Sequence, residues 1–481
     1  MDRRISATRT AALLGAATSQ SPAYLGVSDT LRLLISDGRI TPGTRLPSER
    51  ELTDALAVSR TTVTRAYAHL RDRGYLTSRR GSGHVARLPI AVGPVDNLLS
   101  PGRVPVGDDG AAPIDLSCAA PIAPPGITAA YAAAVDQLPG YLSGTGYFPS
   151  GLPVLRAAIA ARYTERGLPT TADQVIITAG ALGATAIAAR ALTGTGDRVL
   201  VERPTYPNAM AALRGTGARI TGVEVDASGW DLDSMIGAVR TLRPAVAYLI
   251  PDFHNPTGAL VPADQRRRLA AVLREQRTVP VVDESLVELA IDDVDQPPPF
   301  GAFCRSAISI GSASKTFWGG LRVGWLRAGT ARIGELVSAR LSLDLGAPLL
   351  EQLALTELLR RREEVLIARR SELRRSRAAL VAALSDQLPD WRFTVPAGGL
   401  SLWCELPLPL STAVTAAAER YGVVLATGAS FGPEGGLERF LRLPFTRSAD
   451  ELVRAVTLLA RAWTDALTRR SPTRRSRALV A

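Results

Sequence analysis

Several residues in the second half of the chain are of types that can do carbonyl chemistry. Lys315, in Gly311-Ser312-Ala313-Ser314-Lys315-Thr316-Phe317, is the single lysine among 56 basic residues, and the others are all arginine. An arginine-rich composition explains the arginines, and chance could leave one lysine behind. It does not explain why that lysine follows the strand-like Ala307-Ile308-Ser309-Ile310 in a turn rich in Ser and Gly. Arginine replaces lysine in ion pairs and phosphate contacts. Its delocalised, permanently protonated guanidinium cannot add to a carbonyl. Lys315 is therefore a candidate carbonyl nucleophile.

Other residues with chemistry fall at comparable places. Gly180 and Ala181 open a helix after Val175-Ile176-Ile177-Thr178, and helix-start amides attract anions. Tyr206 follows Val199-Leu200-Val201-Glu202, and Asn255, in His254-Asn255-Pro256-Thr257-Gly258, follows residues 245–250. Asp283 ends Val279-Pro280-Val281-Val282, and Arg322 comes seven residues after Lys315. Singly these read as a turn, a helix cap or a core aromatic. Together they supply what pyridoxal phosphate requires: an acid for the ring nitrogen, an amide, an aromatic face, an amine for the aldehyde, and Ser312, Arg322 and helix amides for the phosphate.

The elements that must position these residues alternate. Apolar, mostly β-branched runs are separated by helical stretches near 182–193, 208–214, 232–241 and 263–277, the pattern of a mainly parallel sheet covered on both faces. Ligands of such sheets lie at the carboxyl ends of the strands. Residues 350–383 read as one long arginine-rich helix, and about 385–465 as a smaller α+β unit. No apolar run is long enough to span a membrane. The cysteines Cys118, Cys304 and Cys404 lack metal-ligand spacing and read as buried thiols of a cytoplasmic protein, with no metal site.

The formal charge of +11 is concentrated at the two ends. Residues 1–90 hold fourteen arginines against seven acids, and 469–481 hold five arginines and no acid. A basic N-terminal domain points to nucleic acid. After an expected flexible leader at 1–20, a helix covers about 25–38. Ser48 with Glu51 forms a capping box for a second helix with Leu52, Ala55 and Leu56 inward, and Ser59 caps a third over about 60–73. Residues 75–78 and 83–86 then form a hairpin around Arg79-Arg80-Gly81-Ser82. This order predicts a winged helix-turn-helix over 21–87, with the last helix entering the major groove. Pro- and Gly-rich 88–113 reads as a linker, 114–465 as the large domain, and 466–481 as a basic disordered tail.

Arg45-Leu46-Pro47-Ser48-Glu49-Arg50, Val58-Ser59-Arg60-Thr61-Thr62-Val63 and Gly74-Tyr75-Leu76 resemble the GntR family of winged-helix regulators. The resemblance implies DNA contacts by Arg50, Ser59, Arg60, Thr61, Thr62, Arg65 and Gly83, with the wing arginines Arg79 and Arg80 beside them. Asn255-Pro256-Thr257-Gly258 and Ser312-Ala313-Ser314-Lys315 resemble fold-type I aminotransferases, and the fusion resembles the MocR/GabR regulators. That resemblance implies that Lys315 forms the internal aldimine, Asp283 pairs with the pyridinium, Asn255 bonds O3′ and Tyr206 stacks on the ring. It gives the phosphate to Gly180, Ala181, Ser312 and Arg322, with Tyr147 reaching the phosphate of a partner subunit. It gives an amino acid's carboxylate to Arg442, in Leu441-Arg442-Leu443-Pro444. One departure stands out: where such enzymes place a tyrosine two or three residues after the aspartate, this chain has Ser285 and Leu286.

The expectation is a cytoplasmic, homodimeric regulator that binds double-stranded DNA. It would sense an amino acid, another amine or pyridoxal phosphate itself by exchange at Lys315. The competing expectations are a working aminotransferase with a DNA-binding appendage and a repressor whose large domain only dimerises.

Overall fold

The computed structural model describes residues 4–79, 83–89 and 113–470. Its two compact units are Met1–Asn97 with Ala123–Pro139, and Leu98–Ile122 with Gly140–Ala481.

The first unit contains α1 (Ala7–Leu14), α2 (Ala23–Ser36), α3 (Glu49–Leu56), α4 (Arg60–Asp72), the wing strands β1 (Leu76–Arg79) and β2 (Gly83–Ala86), and α5 (Ile127–Gln137). The capping box is present: Glu51 N donates to Ser48 Oγ at 3.2 Å, and Ser48 N donates to Glu51 Oε2 at 2.8 Å. Ala57 then turns left-handed (φ 52°) to end α3, and Ser59 Oγ caps α4 by accepting from Thr62 N at 3.1 Å. Leu31, Leu34, Ile35, Leu52, Val63, Tyr67 and Leu70 form the core.

Two expectations change here. Ala55 is exposed, so the inner face of α3 rests on Leu52 with partly buried Leu56. The leader is folded: Ser6 caps α1, and Leu14 and Ala17 enter the same core. Its apolar residues are few, but α1 packs against α3 and α2. The linker expected over 88–113 falls largely on residues 90–112, outside the described residues.

In the second unit β3 (Ile114–Asp115) and helix α6 (Pro153–Glu165) precede the main sheet. That sheet contains β4 (Val175–Thr178), β5 (Arg198–Arg203), β6 (Arg219–Asp226), β7 (Gly229–Trp230), β8 (Val246–Leu249), β9 (Val279–Asp283), β10 (Ile308–Ser312) and β11 (Gly324–Arg327). Its order is β4-β11-β10-β9-β8-β5-β6-β7. Pairings are parallel except those of β11 with both its neighbours and of β7 with β6. The period-two alternation of strands sorts the core. Val199, Val201 and Val281 pack under α7 (Gly180–Leu192) and α8 (Pro207–Arg214), while Leu200, Ala247 and Val282 pack under α9 (Leu232–Leu242) and α10 (Ala263–Glu275).

The expected helix over 350–383 is two helices, Leu349–Arg360 and Arg362–Gln387, broken at Arg361 (φ −109°, ψ 21°). Beyond them Arg392–Phe393, Ser401–Glu405, Phe440–Pro444 and Ala426–Thr427 form a second sheet, with helices Ser411–Arg420 and Ala449–Arg470. The expected tail is thus helical through Arg470, and 471–481 lie outside the described residues. β3 pairs in parallel with Val423–Val424, which ties the segment after it to this smaller part.

Ser48→Ala removes the acceptor for Glu51 N. It should destabilise the first unit by about 1 kcal/mol, read as an earlier denaturant midpoint in a probe of that unit.

Candidate functional site

The expected site residues gather at the carboxyl ends of β4, β5, β8, β9 and β10. Lys315 sits in the short helix Ala313–Thr316 directly after β10, and buried Ser312 caps that helix by accepting from Ser314 N at 3.1 Å. Lys315 Nζ donates to the Ala119 carbonyl at 2.9 Å. Burial lowers the pKa of this amine from the usual lysine range; Arg442 and Arg322 push the same way, against Cys118 and Asp283. The site thus shifts Lys315 toward its neutral, nucleophilic form relative to a free lysine.

Asp283 is buried at the end of β9. Its Oδ2 accepts from Tyr248 Oη at 2.8 Å and its Oδ1 from Ser285 N at 2.9 Å. Burial and the neighbouring carboxylate hold the Tyr248 phenol well above its ordinary pKa, so it remains a donor. Two fixed bonds therefore orient the carboxylate. Tyr248 was not singled out from the sequence; an aromatic inside an apolar strand reads as core. Its one signal is that β8 pairs with β9, with Tyr248 opposite Val281 and two residues short of Asp283.

Arg442, from Phe440–Pro444, donates through Nη1 to Asn255 Oδ1 at 3.3 Å and through Nη2 to the Ser117 carbonyl. It stacks over Phe431 at 5.0 Å from the ring centre, and its Nε has no partner. Burial pushes its pKa down to about 10, which leaves it a cation at neutral pH. The turn carrying Asn255 rests on buried groups: Glu202 Oε2 lies 3.3 Å from His254 Nε2 and accepts from Ile250 N at 2.8 Å. Tyr206, just before α8, accepts from Asn208 Nδ2 at 3.1 Å, and burial raises its phenol pKa.

The start of α7 forms a cradle. Gly180 has φ +79°, and a Cβ there would come within 2.8 Å of Arg322 Nη2. A Cβ on Gly324 would lie 2.5 Å from Gly180 C and 2.6 Å from Ala181 N. Arg322, itself left-handed at φ +50°, donates to the Ala179 carbonyl at 3.4 Å. Glycine at both positions lets a helix start, a guanidinium and the Lys315 loop converge, the donor set a phosphate needs. This cradle, the oriented carboxylate, the neutral-leaning amine and the unpartnered Arg442 Nε fit pyridoxal phosphate.

Some expected residues stand apart. Tyr147 is 64% exposed. Ser285 Oγ is buried without a partner, and Leu286 belongs to an apolar cluster, so neither supplies the absent phenol. Cys304 and Cys404 are buried as expected, but Cys118 is only half-buried. It lies between the two residues whose carbonyls hold Arg442 and Lys315, and it interacts electrostatically with both cations. Scattered cysteine spacing gave no hint of this placement.

In the first unit Arg50, Ser59, Arg60, Thr61 and Gly83 are exposed around the start of α4, with Thr62 partly buried against Ser59 (Oγ1 to Oγ 2.8 Å). Arg65 is exposed, and its guanidinium lies over Tyr24 at 5.6 Å from the ring centre. Arg79 ends β1, and Arg80 lies outside the described residues. No helix among the described residues is long and apolar enough to cross a membrane.

Residues 142–459 match the family "Aminotransferase class I and II", and residues 23–85 match "Bacterial regulatory proteins, gntR family". The 2-aminoadipate transaminase of Thermus thermophilus is 34% identical over 299 residues, covering 60% of this chain and 75% of that enzyme. An uncharacterized HTH-type transcriptional regulator of Escherichia coli, YdcR, is 29% identical over 447 residues, covering 87% of this chain and 94% of that protein. The crystal structure of the α-aminoadipate aminotransferase LysN from Thermus thermophilus, complexed with N-(5′-phosphopyridoxyl)-L-leucine, superposes with a TM-score of 0.69 at 31% identity. That superposition covers 74% of this chain and 93% of LysN.

With a single lysine, amine labelling reports on one side chain. Acetylation of Lys315 in cofactor-free protein, followed by mass spectrometry, should proceed at a lower pH than for free lysine. Arg442→Met removes a cation that disfavours the ammonium, so it should move the profile to higher pH. A wild-type profile that overlays free lysine would refute the depressed pKa.

Proposed function

The chain belongs to the aminotransferase class I and II family, fused to a gntR-family DNA-binding domain in the architecture of MocR-type regulators, and on that premise we propose that it is a transcription regulator that senses an amine at Lys315. Pyridoxal phosphate, when bound, supplies an aldehyde carbon that accepts amines. Lys315 would hold that carbon. Asp283, Asn255 and Tyr206 would hold the ring, and Gly180, Ala181, Ser312 and Arg322 the phosphate. Arg442 would hold the effector's carboxylate. The effector is an amino acid or another amine, with the cofactor itself as the alternative signal, and the protein works in the cytoplasm.

The observation that carries this reading is the strap at Ser117–Ala119. One carbonyl of this segment occupies Arg442 and another occupies Lys315. An amino acid's carboxylate would compete with the Ser117 carbonyl for Arg442, and its amine would take the place of the Lys315 amine. From the strap the chain runs through residues 120–122, where Arg369 Nη2 donates to the Ile122 carbonyl at 2.6 Å, directly into Ala123–Pro139, which packs within the first unit. A ligand bound more tightly with the strap released shifts the population toward that state.

The regulator is proposed as a homodimer. Leu142, Tyr147, Leu341, Leu343 and Leu345 are all large and about half or more exposed. Their two segments adjoin, since Arg340 Nη1 donates to the Pro149 carbonyl at 2.7 Å. A second copy covering this surface would bury them and bring Tyr147 toward its partner's phosphate site.

Steady transamination is the second reading, favoured by the 34% identity to a transaminase. Ser285 and Leu286, in place of a phenol on O3′, argue against efficient turnover. Adding pyridoxal phosphate should produce an absorbance band near the visible edge that Lys315→Ala abolishes; no band in the wild type would sink the reading. Continuous conversion of an amino donor with a keto acid would favour the enzyme.

A further inference from the structure

The gntR match begins at residue 23, yet residues 4–22, nineteen residues before it, already belong to the folded unit. Those extra residues are anchored. Ser6 caps α1 through Arg9 N at 3.2 Å, and Leu14 and Ala17 lock the segment into the core. Just before that cap, the chain runs beside the wing. Arg4 bridges Arg45 in parallel, Arg45 bridges Val85 in antiparallel, and Ile5 N donates to the Arg45 carbonyl at 3.1 Å. The segment is thus tied by a single bridge to Arg45, which in turn bridges the wing strand β2, and is fixed from the far side by a helix.

This segment delivers a cation to a chosen place. Arg4 lines a cleft with Arg45, Arg50, Arg60, Gly83 and His84. Arg50, Arg60 and Gly83 are the residues expected to face DNA. Four guanidinium groups there meet two carboxylates, Glu49 and Glu51. Both carboxylates have other work: Glu49 accepts from Thr64 Oγ1 at 2.7 Å, and Glu51 accepts from Ser48 N. Arg4 Nη2 donates to Glu51 Oε1 at 2.8 Å, but its side chain is still 60% exposed. A surface ion pair of this kind contributes little to stability. It does aim a guanidinium, and a planar fork bonded on one side can offer its remaining N–H groups to a phosphate.

We propose that Arg4 is a DNA-backbone contact, held by the N-terminal segment that bridges Arg45 and binding one phosphate flanking the groove that receives α4. The inference rests on the DNA-binding reading and extends that interface beyond the gntR-like segment. A phosphate contact positions the protein without reading bases, so its loss weakens every sequence alike.

The test uses the full chain and a short fluorescein-labelled duplex of arbitrary sequence, with binding followed by anisotropy across a salt series. Arg4→Ala should flatten the plot of log affinity against log salt by about one unit, with an equal loss of affinity on an unrelated duplex. Arg4→Lys should restore most of the slope. Glu51→Gln, which can still form the capping box, should keep or strengthen binding. An unchanged slope in Arg4→Ala while Arg60→Ala loses affinity overturns the inference and leaves the DNA reading standing. No binding by the wild type overturns the DNA reading itself. A loss shared by Glu51→Gln with a lowered melting temperature would make Arg4 a structural clamp and also overturn the inference.

Discussion

The structure depends on the surroundings of one amine. Half-buried Lys315 lies at the carboxyl ends of parallel strands, with two arginines near enough to oppose its protonation and Cys118 and Asp283 near enough to favour it. Desolvation dominates this balance, so the arrangement of the surrounding strands sets the chemistry. That arrangement has its own requirements. Asp283 is useful only if its carboxylate cannot turn, and Tyr248 and the Ser285 amide fix both of its oxygens. The α7 cradle works only with glycine at 180 and 324, where a Cβ would meet Arg322 or the helix backbone.

In the proposed mechanism the same amine links the ligand site to the rest of the chain. Lys315 and Arg442 each make one hydrogen bond to the strap at 117–119. Such bonds are worth about 0.5–1.5 kcal/mol each, somewhat more when the donor is charged. Exchanging the pair therefore involves free energies of the size that separates coupled states, about 1–3 kcal/mol. A larger hold would make the strap unresponsive, and a smaller one would carry no signal.

Much of this was legible in the sequence because it rests on local rules. The helix-turn-helix follows from Ser48, Glu51 and Ser59, whose caps act within three residues. The positions of Asp283, Asn255 and Lys315 follow from strand ends, which apolar runs mark clearly. What was missed depends on distant partners. Tyr248 gains its meaning from Asp283, thirty-five residues away, and Cys118 from Lys315 and Arg442. β11 and β6 lacked a clean apolar run: Gly324-Trp325-Leu326-Arg327 is short, and β6 alternates polar residues toward the sheet edge. The leader was misread because α1 is too short to signal itself; its docking on the reader's core makes it ordered. The break at Arg361 is a backbone feature that arginine-rich periodicity does not announce.

The central claim is that reaction at Lys315, and not charge or occupancy alone, changes how the protein holds DNA. The direct measurement is footprinting on the DNA upstream of its own and neighbouring genes, with and without pyridoxal phosphate and a panel of amino acids, in wild type and Lys315→Arg. Arginine keeps the positive charge but cannot add to a carbonyl. The account predicts a ligand-dependent change in the wild-type footprint that Lys315→Arg lacks while still binding DNA. The same ligand-dependent change in both proteins would contradict it.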